Sequence, residues 1–428
     1  MIIFSKNNWL SRHEISQVRK GMESLSKKVR TSQTISAVIK NDTTSENSEE
    51  IEKSPSSESP SLLKEKVMGL VKKYRKEVNE EDLPRVVKQM IGHFDDEPEG
   101  LPAYRYIDLT KEPDARVVMI GDTHCDYNSV ANMLEKIALS TYDYFGKGYI
   151  VFDGDYLDRG SIFFEYFLLL LEMKKLLGPR CILMRGNHDT VQYDSFSRVL
   201  EAQVSPCETT EFLNRYCWKY TEFMDKLAGY FTRLPYYVMI KNKAGVDMIV
   251  HGGIPHNNYL EKVHISAETG EMTLDKGAIL EDVLHDFLWS DPCSKEDVRY
   301  QQLHSRFGYG KKQFDTFTDA NGIYRIFRSH EHVNNGVKAF FENRLFTVFS
   351  TGGIGNAHTG YPGITNPVFA IIKPEGEVLF ESIYFKKIVI EDRYSSYSAV
   401  LYMGGNIPEE TNELDDLHLN EEFFTINQ

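Results

Sequence analysis

Six short apolar runs in this chain share one ending. "RVVMIGDTH", "YIVFDGD", "CILMRGNHD", "VDMIVHGG", "YRIFRSHEH" and "LFTVFSTGG" each pass from aliphatic or aromatic residues straight into Gly, Asp, Asn, Ser or His. Apolar runs of this length, bounded by turn formers, read as buried β-strands. Helices are predicted at 127–139 and 161–177, between the first three runs. Strand–helix alternation makes βαβ units and an α/β fold, with polar residues massed at the carboxyl ends of the strands. Ligands of open α/β sheets bind at those ends. "PVFAIIKPEGEVLFESIYF" reads instead as a hairpin turning at Pro-Glu-Gly.

The rest of the chain divides by composition. Residues 1–61 read as a largely disordered tail, first basic and then acidic and Ser-rich. Its stretch "NDTTSENSEEIEKSPSSESPS" has too few apolar groups to offset the entropy of ordering. "SLLKEKVMGLVKKYRKEV" then spaces Leu63, Val67, Leu70, Val71 and Tyr74 as one face of a helix, and "EEDLPRVVKQMIGHF" predicts a second. These N-terminal helices occupy 62–98 of a catalytic domain drawn at 62–385, followed by an acidic tail at 386–428.

Bulk properties exclude several classes. A formal charge of -14 argues against non-specific nucleic-acid binding, which needs a basic face. The five cysteines are scattered and odd in number, with no CxxC pair, which suits a reduced protein of the cytoplasm or nucleus. The longest apolar run, "IFFEYFLLLLEMKKLLG", is too short and too charged to span a bilayer, and the N-terminus shows no secretory signal.

The strand ends carry the chemistry. "GDTH" offers Asp122 and His124, two residues apart and so on one side of an extended chain. "GDYLDRG" offers Asp155, Asp158 and Arg159; "RGNHD" offers Asn187, His188 and Asp189; "VHGG" offers His251; "SHEH" offers His330 and His332. Asp122, Asp155 and Asn187 follow one another at the roughly 30-residue period of a βαβ unit, so they arrive at neighbouring strand ends. This mix of oxygen and imidazole donors suits Mn, Fe or Zn better than Ca or a pure Mg site. Two such ions can clamp a phosphoryl oxygen and generate hydroxide for in-line attack. Arg159 offers a planar fork for phosphate oxygens. His188 stands next to Asn187, placed to protonate a leaving alkoxide, with Asp158 to orient it.

"GDTH", "GDYLDRG" and "RGNHD", in this order and spacing, resemble the three signatures of the PPP family of metal-dependent serine/threonine protein phosphatases, within the calcineurin-like metallophosphoesterases. "FLWSDP", "HGG" and "RSH" continue the resemblance, which covers roughly 62–385. It implies a four-layer αββα sandwich of two mixed sheets flanked by helices, with a dinuclear site at the strand ends. By motif position the first metal would take Asp122, His124 and Asp155. The second would take Asp155, Asn187, His251 and His330, with Asp155 bridging. Arg159 and an arginine after "WSDP", best matched by Arg306, would hold phosphate.

The departures are specific. Cys125 stands where the family has Gly, beside a redox-sensitive metal, and Asp189 replaces Glu. "STGGI" takes the place of "SAPNY", so the family's active-site tyrosine becomes Ile354. "RSHEH" adds a second histidine, and His332 is expected to add a ligand to the first metal, as in the wider superfamily. Arg185 and Asp291 read as structural: an ion-pair partner and the holder of a site loop or arginine. No stacking role is assigned to any tyrosine. Phosphoprotein substrates and regulatory subunits are the partners to look for. The competing functions are hydrolysis of nucleotides, other small phosphates or phosphotyrosine, and a non-catalytic binding module on the same fold.

Overall fold

Period-two alternation in the predicted strands sorts their side chains between two cores. In the computed structural model, Val117 and Met119 point into one buried cluster while Val118 and Ile120, their neighbours on the same strand, point into another. The structure describes residues 60–75, 78–98, 102–298, 302–303, 306–353, 356, 359–383, 386–390, 399–403 and 425–426. Of the proposed tail at 1–61, residues 1–59 lie outside them, and 60–61 open the first helix.

The main strands are β1 (Tyr104–Asp108), β2 (Val117–Ile120), β3 (Tyr149–Phe152), β4 (Cys181–Leu183), β5 (Tyr237–Asn242), β6 (Gly245–Val250), β7 (Arg325–Arg328), β8 (Val337–Phe340), β9 (Leu345–Val348), β10 (Val368–Ile372) and β11 (Val378–Ser382). One sheet runs β11-β10-β2-β3-β4, with Thr425–Ile426 added at its edge; the other runs β1-β5-β6-β7-β9-β8. Both are mixed: β2, β3 and β4 are parallel, while β10 is antiparallel to β2 and β11. All six expected strands are present, and the hairpin of β10 and β11 turns at Pro374–Gly376. Within 386–428, Lys386–Ile390 and Ala399–Met403 pair as a second hairpin.

The longer helices are α1 (Pro60–Lys73), α2 (Leu83–Asp96), α3 (Tyr127–Leu139), α4 (Phe163–Leu177), α5 (Glu208–Tyr216), α6 (Thr221–Thr232), α7 (Leu280–Trp289) and α8 (Lys311–Ala320). Residues of α1, α2, α3, α4 and α6 cover the outer face of the first sheet, around Val118, Ile120, Ile150 and Phe152. Phe287 of α7 and Phe314 and Phe317 of α8 cover the outer face of the second, around Met239, Met248 and Ile326. The inner faces meet through Met119, Val151, Ile240, Ile249 and Phe327. The order is helix, sheet, sheet, helix, as the resemblance implies. Helix α4 is buried nearly all round, which makes its Leu/Phe run core. Among the described residues, no helix is long and apolar enough to cross a membrane.

At the end of the sheets remote from the "GDTH" loop, a buried pair joins the two layers. Arg325 Nε and Nη2 donate to the two oxygens of Asp247 at 2.9 and 2.8 Å, and Nη2 also reaches the Gly376 carbonyl in the β10–β11 turn. Removing one partner of such a pair leaves a buried charge uncompensated, at a cost of about 3–5 kcal/mol. Arg325→Met is therefore expected to destabilise the domain by that amount in a chemical-denaturation titration. Metal content at the opposite end should be retained under native conditions.

Candidate active site

The loops after β2, β3, β4, β6 and β7 converge on one small volume. Their backbones are strained to do so. Ten non-glycine residues have positive φ among the described residues, and six of them are His124, Cys125, Asp155, Asp158, Arg159 and His330. Left-handed backbone at such residues persists only where the surroundings hold it. Two glycines let the loops touch. Gly154 takes φ +84°, and a Cβ on it would lie 2.2 Å from the amide nitrogen of Gly186; one on Gly186 would lie 2.2 Å from Asp155. Asp189 ties the same loops together. Its carboxylate accepts from the amides of Asp155, Tyr156 and Gly186 at 2.8–2.9 Å.

Two groups of donor atoms result, His124 with Asp155 and His188, and Asp155 with His251 and His330. Asp155 belongs to both. On one side His124 Nε2 lies 3.5 Å from Asp155 Oδ2 and 3.9 Å from Asp122 Oδ2. On the other, His251 Nε2 lies 3.3 Å from Asp155 Oδ1. The Asn187 amide is 2.9 Å from both His251 Nε2 and His330 Nδ1.

These donors fit metal ions. His124 Nδ1 donates to the Leu157 carbonyl at 2.8 Å, and His251 Nδ1 donates to the Asp153 carbonyl at 2.7 Å. Each bond fixes a tautomer whose Nε2 lone pair faces the cluster, the arrangement that orients metal-ligating histidines. Charge points the same way. Burial and the adjacent charge of Asp155 push the Asp122 carboxyl up. Burial opposes a proton on His251, yet Asp155, Asp122 and Asp153 pull its pKa up to about 10. Asp155 and Asp122 draw positive charge into this volume, here a proton on His251, whose place a bound cation would take.

The acid pair stands beside the donors. His188 Nδ1 lies 2.7 Å from Asp158 Oδ2. Burial disfavours the imidazolium, but the charge of Asp155 and the hydrogen bond to Asp158 outweigh it, so the His188 pKa is raised. A raised histidine pKa holds the proton to a higher pH than a free imidazole does. Arg159 is half-buried, and its Nε has no hydrogen-bond partner. Arg306 is at the rim, 5.5 Å above the Trp289 ring and 3.3 Å from Asp291 Oδ2.

The structure thus brings together Asp122, His124, Asp155, Asn187, His251, His330, His188, Asp158 and Arg159, with Arg306 at the edge. It does not bring His332 into either group. The expectation for His332 assumed an extended chain, but His330 has φ +67°, and the turn leaves His332 exposed. Its ring stacks instead on Tyr361, 6.2 Å away. Tyr361 is the residue the sequence reading missed. Its hydroxyl lies 3.4 Å from His124 Nε2, and its ring also meets Phe349. Ile354 is outside the described residues, and it is Tyr361, seven positions later, that sets a phenol at the cleft. A Gly-rich loop gives no periodicity from which to foresee this.

Three further residues take definite partners, and Asp291 holds an arginine as expected. Cys125 is fully buried and donates to the Tyr156 carbonyl at 3.1 Å, and burial pushes its thiol far up, so it is no oxidation-prone thiolate. Its φ of +52° accommodates the family's glycine position. Arg185 is structural, but its partner is Tyr236, through a 2.8 Å bond to the hydroxyl and contact with the ring. Asp291 accepts from Arg328, a fully buried arginine that sequence reading passed over, at 2.9 Å.

Residues 115–334 match the calcineurin-like phosphoesterase family. The chain belongs to that family. Relatives of the chain include proteins named as protein phosphatases. A probable serine/threonine-protein phosphatase of Encephalitozoon cuniculi is 29% identical over 246 residues, 56% of this chain and 47% of that protein. The serine/threonine-protein phosphatase 4 catalytic subunit of Saccharomyces cerevisiae is 30% identical over 241 residues, 55% of this chain and 69% of that one. The aligned region thus spans about half the length of the former and two thirds of the latter. A solved Saccharomyces cerevisiae protein serine/threonine phosphatase with similarity to human phosphatase PP5 shares the fold, with a TM-score of 0.54 and 21% identity over 82% of this chain and 98% of that one. By its match to the phosphatase 4 catalytic subunit, the chain is a divergent member of the PPP family.

Because Asp155 is common to both donor groups, Asp155→Asn should deplete metal from both. His332→Ala should keep the wild-type metal content. Elemental analysis after Mn loading and dialysis reads both outcomes.

Proposed function

We propose that this phosphatase hydrolyses phosphoserine and phosphothreonine monoesters in proteins. The observation that carries the reading is the His188–Asp158 pair, whose histidine lies within reach of the first of two donor groups that share Asp155. Asp122, His124 and Asp155 would hold one ion, and Asp155, Asn187, His251 and His330 a second, with Mn, or Fe and Zn, suited to the donor set. When bound, such a pair supplies Lewis-acid polarisation of phosphoryl oxygens and makes attacking water more acidic.

The chain's own groups do the rest. As water oxygen bonds to phosphorus, one of its protons passing to solvent and the other staying on the phosphate, the ester P–O bond breaks and protonated His188 gives its proton from Nε2 to the departing serine or threonine oxygen. Asp158 fixes the ring through Nδ1 and stabilises its positive charge. Arg159, with a buried donor to spare, takes phosphoryl oxygens, and Arg306 reaches them from the rim. Buried walls around Asp155 and His251 keep bulk water from the charged groups. The names of the relatives, among them a catalytic subunit, support phosphoprotein substrates and a regulatory subunit as partners. Free thiols at all five cysteines support a reducing compartment, cytoplasmic or nuclear.

The test is turnover by the purified protein, with and without Mn, of phosphoserine, phosphothreonine and phosphotyrosine peptides and a dinucleotide. Mn-dependent turnover of the first two is expected; turnover confined to the dinucleotide would overturn the reading. His188→Asn should cost roughly 10²–10⁴-fold in kcat on the phosphoserine peptide, the range for loss of a general acid.

A further inference from the structure

The turn that carries Asp158 and Arg159 is held in an unfavourable conformation, with φ of 67° and 66° at two consecutive non-glycine residues. Nothing in "GDYLDRG" itself forces this. Left-handed backbone at an L-residue with a full side chain is unfavourable, so a neighbouring element must fix it.

That element is the start of α5. The Asp158 amide donates to Thr209 Oγ1 at 2.7 Å, and the Thr209 amide donates back to Asp158 Oδ1 at 3.0 Å. The two residues are 51 apart in sequence, and both are buried, Thr209 at 4% exposure. Thr209 is the second residue of α5, so its amide is one of the first-turn donors that the helix cannot satisfy internally. A carboxylate is a strong acceptor there. Asp158 therefore divides its two oxygens: Oδ1 anchors to the helix, and Oδ2 is left facing His188 Nδ1 at 2.7 Å. The Cys125 sulfur, 3.7 Å from Thr209 Oγ1, closes the other side of the hydroxyl.

We infer that Thr209 is a positioning residue for the acid step: its reciprocal hydrogen bonds to Asp158 lock the Asp158–Arg159 turn and so aim the carboxylate that orients His188. The role rests on the proposed phosphatase reaction. It makes α5 part of the catalytic apparatus, although no residue of that helix belongs to a donor group.

An acid-positioning residue has a kinetic mark that a merely structural one lacks. A serine alkoxide is a poor leaving group and needs the proton from His188. The aryloxide of p-nitrophenyl phosphate is stabilised and leaves without it. Thr209→Val keeps the shape and removes the hydroxyl, leaving the Asp158 amide without its acceptor. With Mn-loaded full-length protein, kcat on a phosphoserine peptide should fall by roughly tenfold or more, while kcat on p-nitrophenyl phosphate falls much less. Thr209→Ser, which restores an oxygen at the same place, should return the ratio of the two rates to that of the wild type. Equal losses on both substrates, or no loss on either, would overturn the role. If the valine variant does not fold, Thr209→Ala is read by the same ratio. A wild-type protein inactive on both substrates would instead refute the phosphatase reading itself, and this role with it.

Discussion

Asp155 stands between two sets of buried donors, with His124 Nε2 3.5 Å from one oxygen and His251 Nε2 3.3 Å from the other. A carboxylate taken out of water carries a penalty of several kcal/mol unless its charge and lone pairs are met. Much of the local architecture meets them. The His188 amide donates to Oδ1, and the residue's own amide is held by Asp189. Gly154 and Gly186 let the two loops approach closely enough for those bonds to form. The double-sheet fold supplies what no single loop can, a place where strands of both sheets end beside one another.

On the same principle, groups that appear to be spectators are structural parts of the site. The Asp126 carboxylate caps α3 through the Ser129 amide and also accepts from Thr351 and Asn356, which binds the "GDTH" loop to the loop after β9. Arg328 spreads its guanidinium over Asp291, Glu331 and the Ser290 carbonyl, which fixes the base of the turn from which His330 projects. Ligands so placed need little rearrangement when they act, which is the physical content of preorganisation.

Much of this was legible in the chain. The strands were found because four-residue apolar runs ending in polar residues have few other readings, and the hairpin because Pro-Glu-Gly marks a turn. The residues that converge were found because "GDTH", "GDYLDRG" and "RGNHD" recur at βαβ spacing. Tyr361 escaped because its Gly-rich loop carries no periodicity, and His332 because of its backbone. Facing is decided by φ and ψ at single residues, and a positive φ at His330 turns the chain after it. The two-residue rule for extended strands fails at that point. Thr209 escaped because its partner is 51 residues away, and neither residue's type announces the pairing.

The layers followed from the family resemblance that the motifs carry; by itself, the sequence determined the strands that end at the site and the chemical kinds of group delivered there. Those are local properties, set by periodicity, turn chemistry and the order of motifs. Only the tertiary structure decided which imidazole nitrogens face inward, which histidine of "SHEH" joins the donors, which tyrosine lines the cleft and what holds Asp158 in its left-handed turn. Each of these depends on contacts between residues far apart in the chain, whose geometry is fixed only when the two sheets pack and their loops are forced to share one small, buried volume.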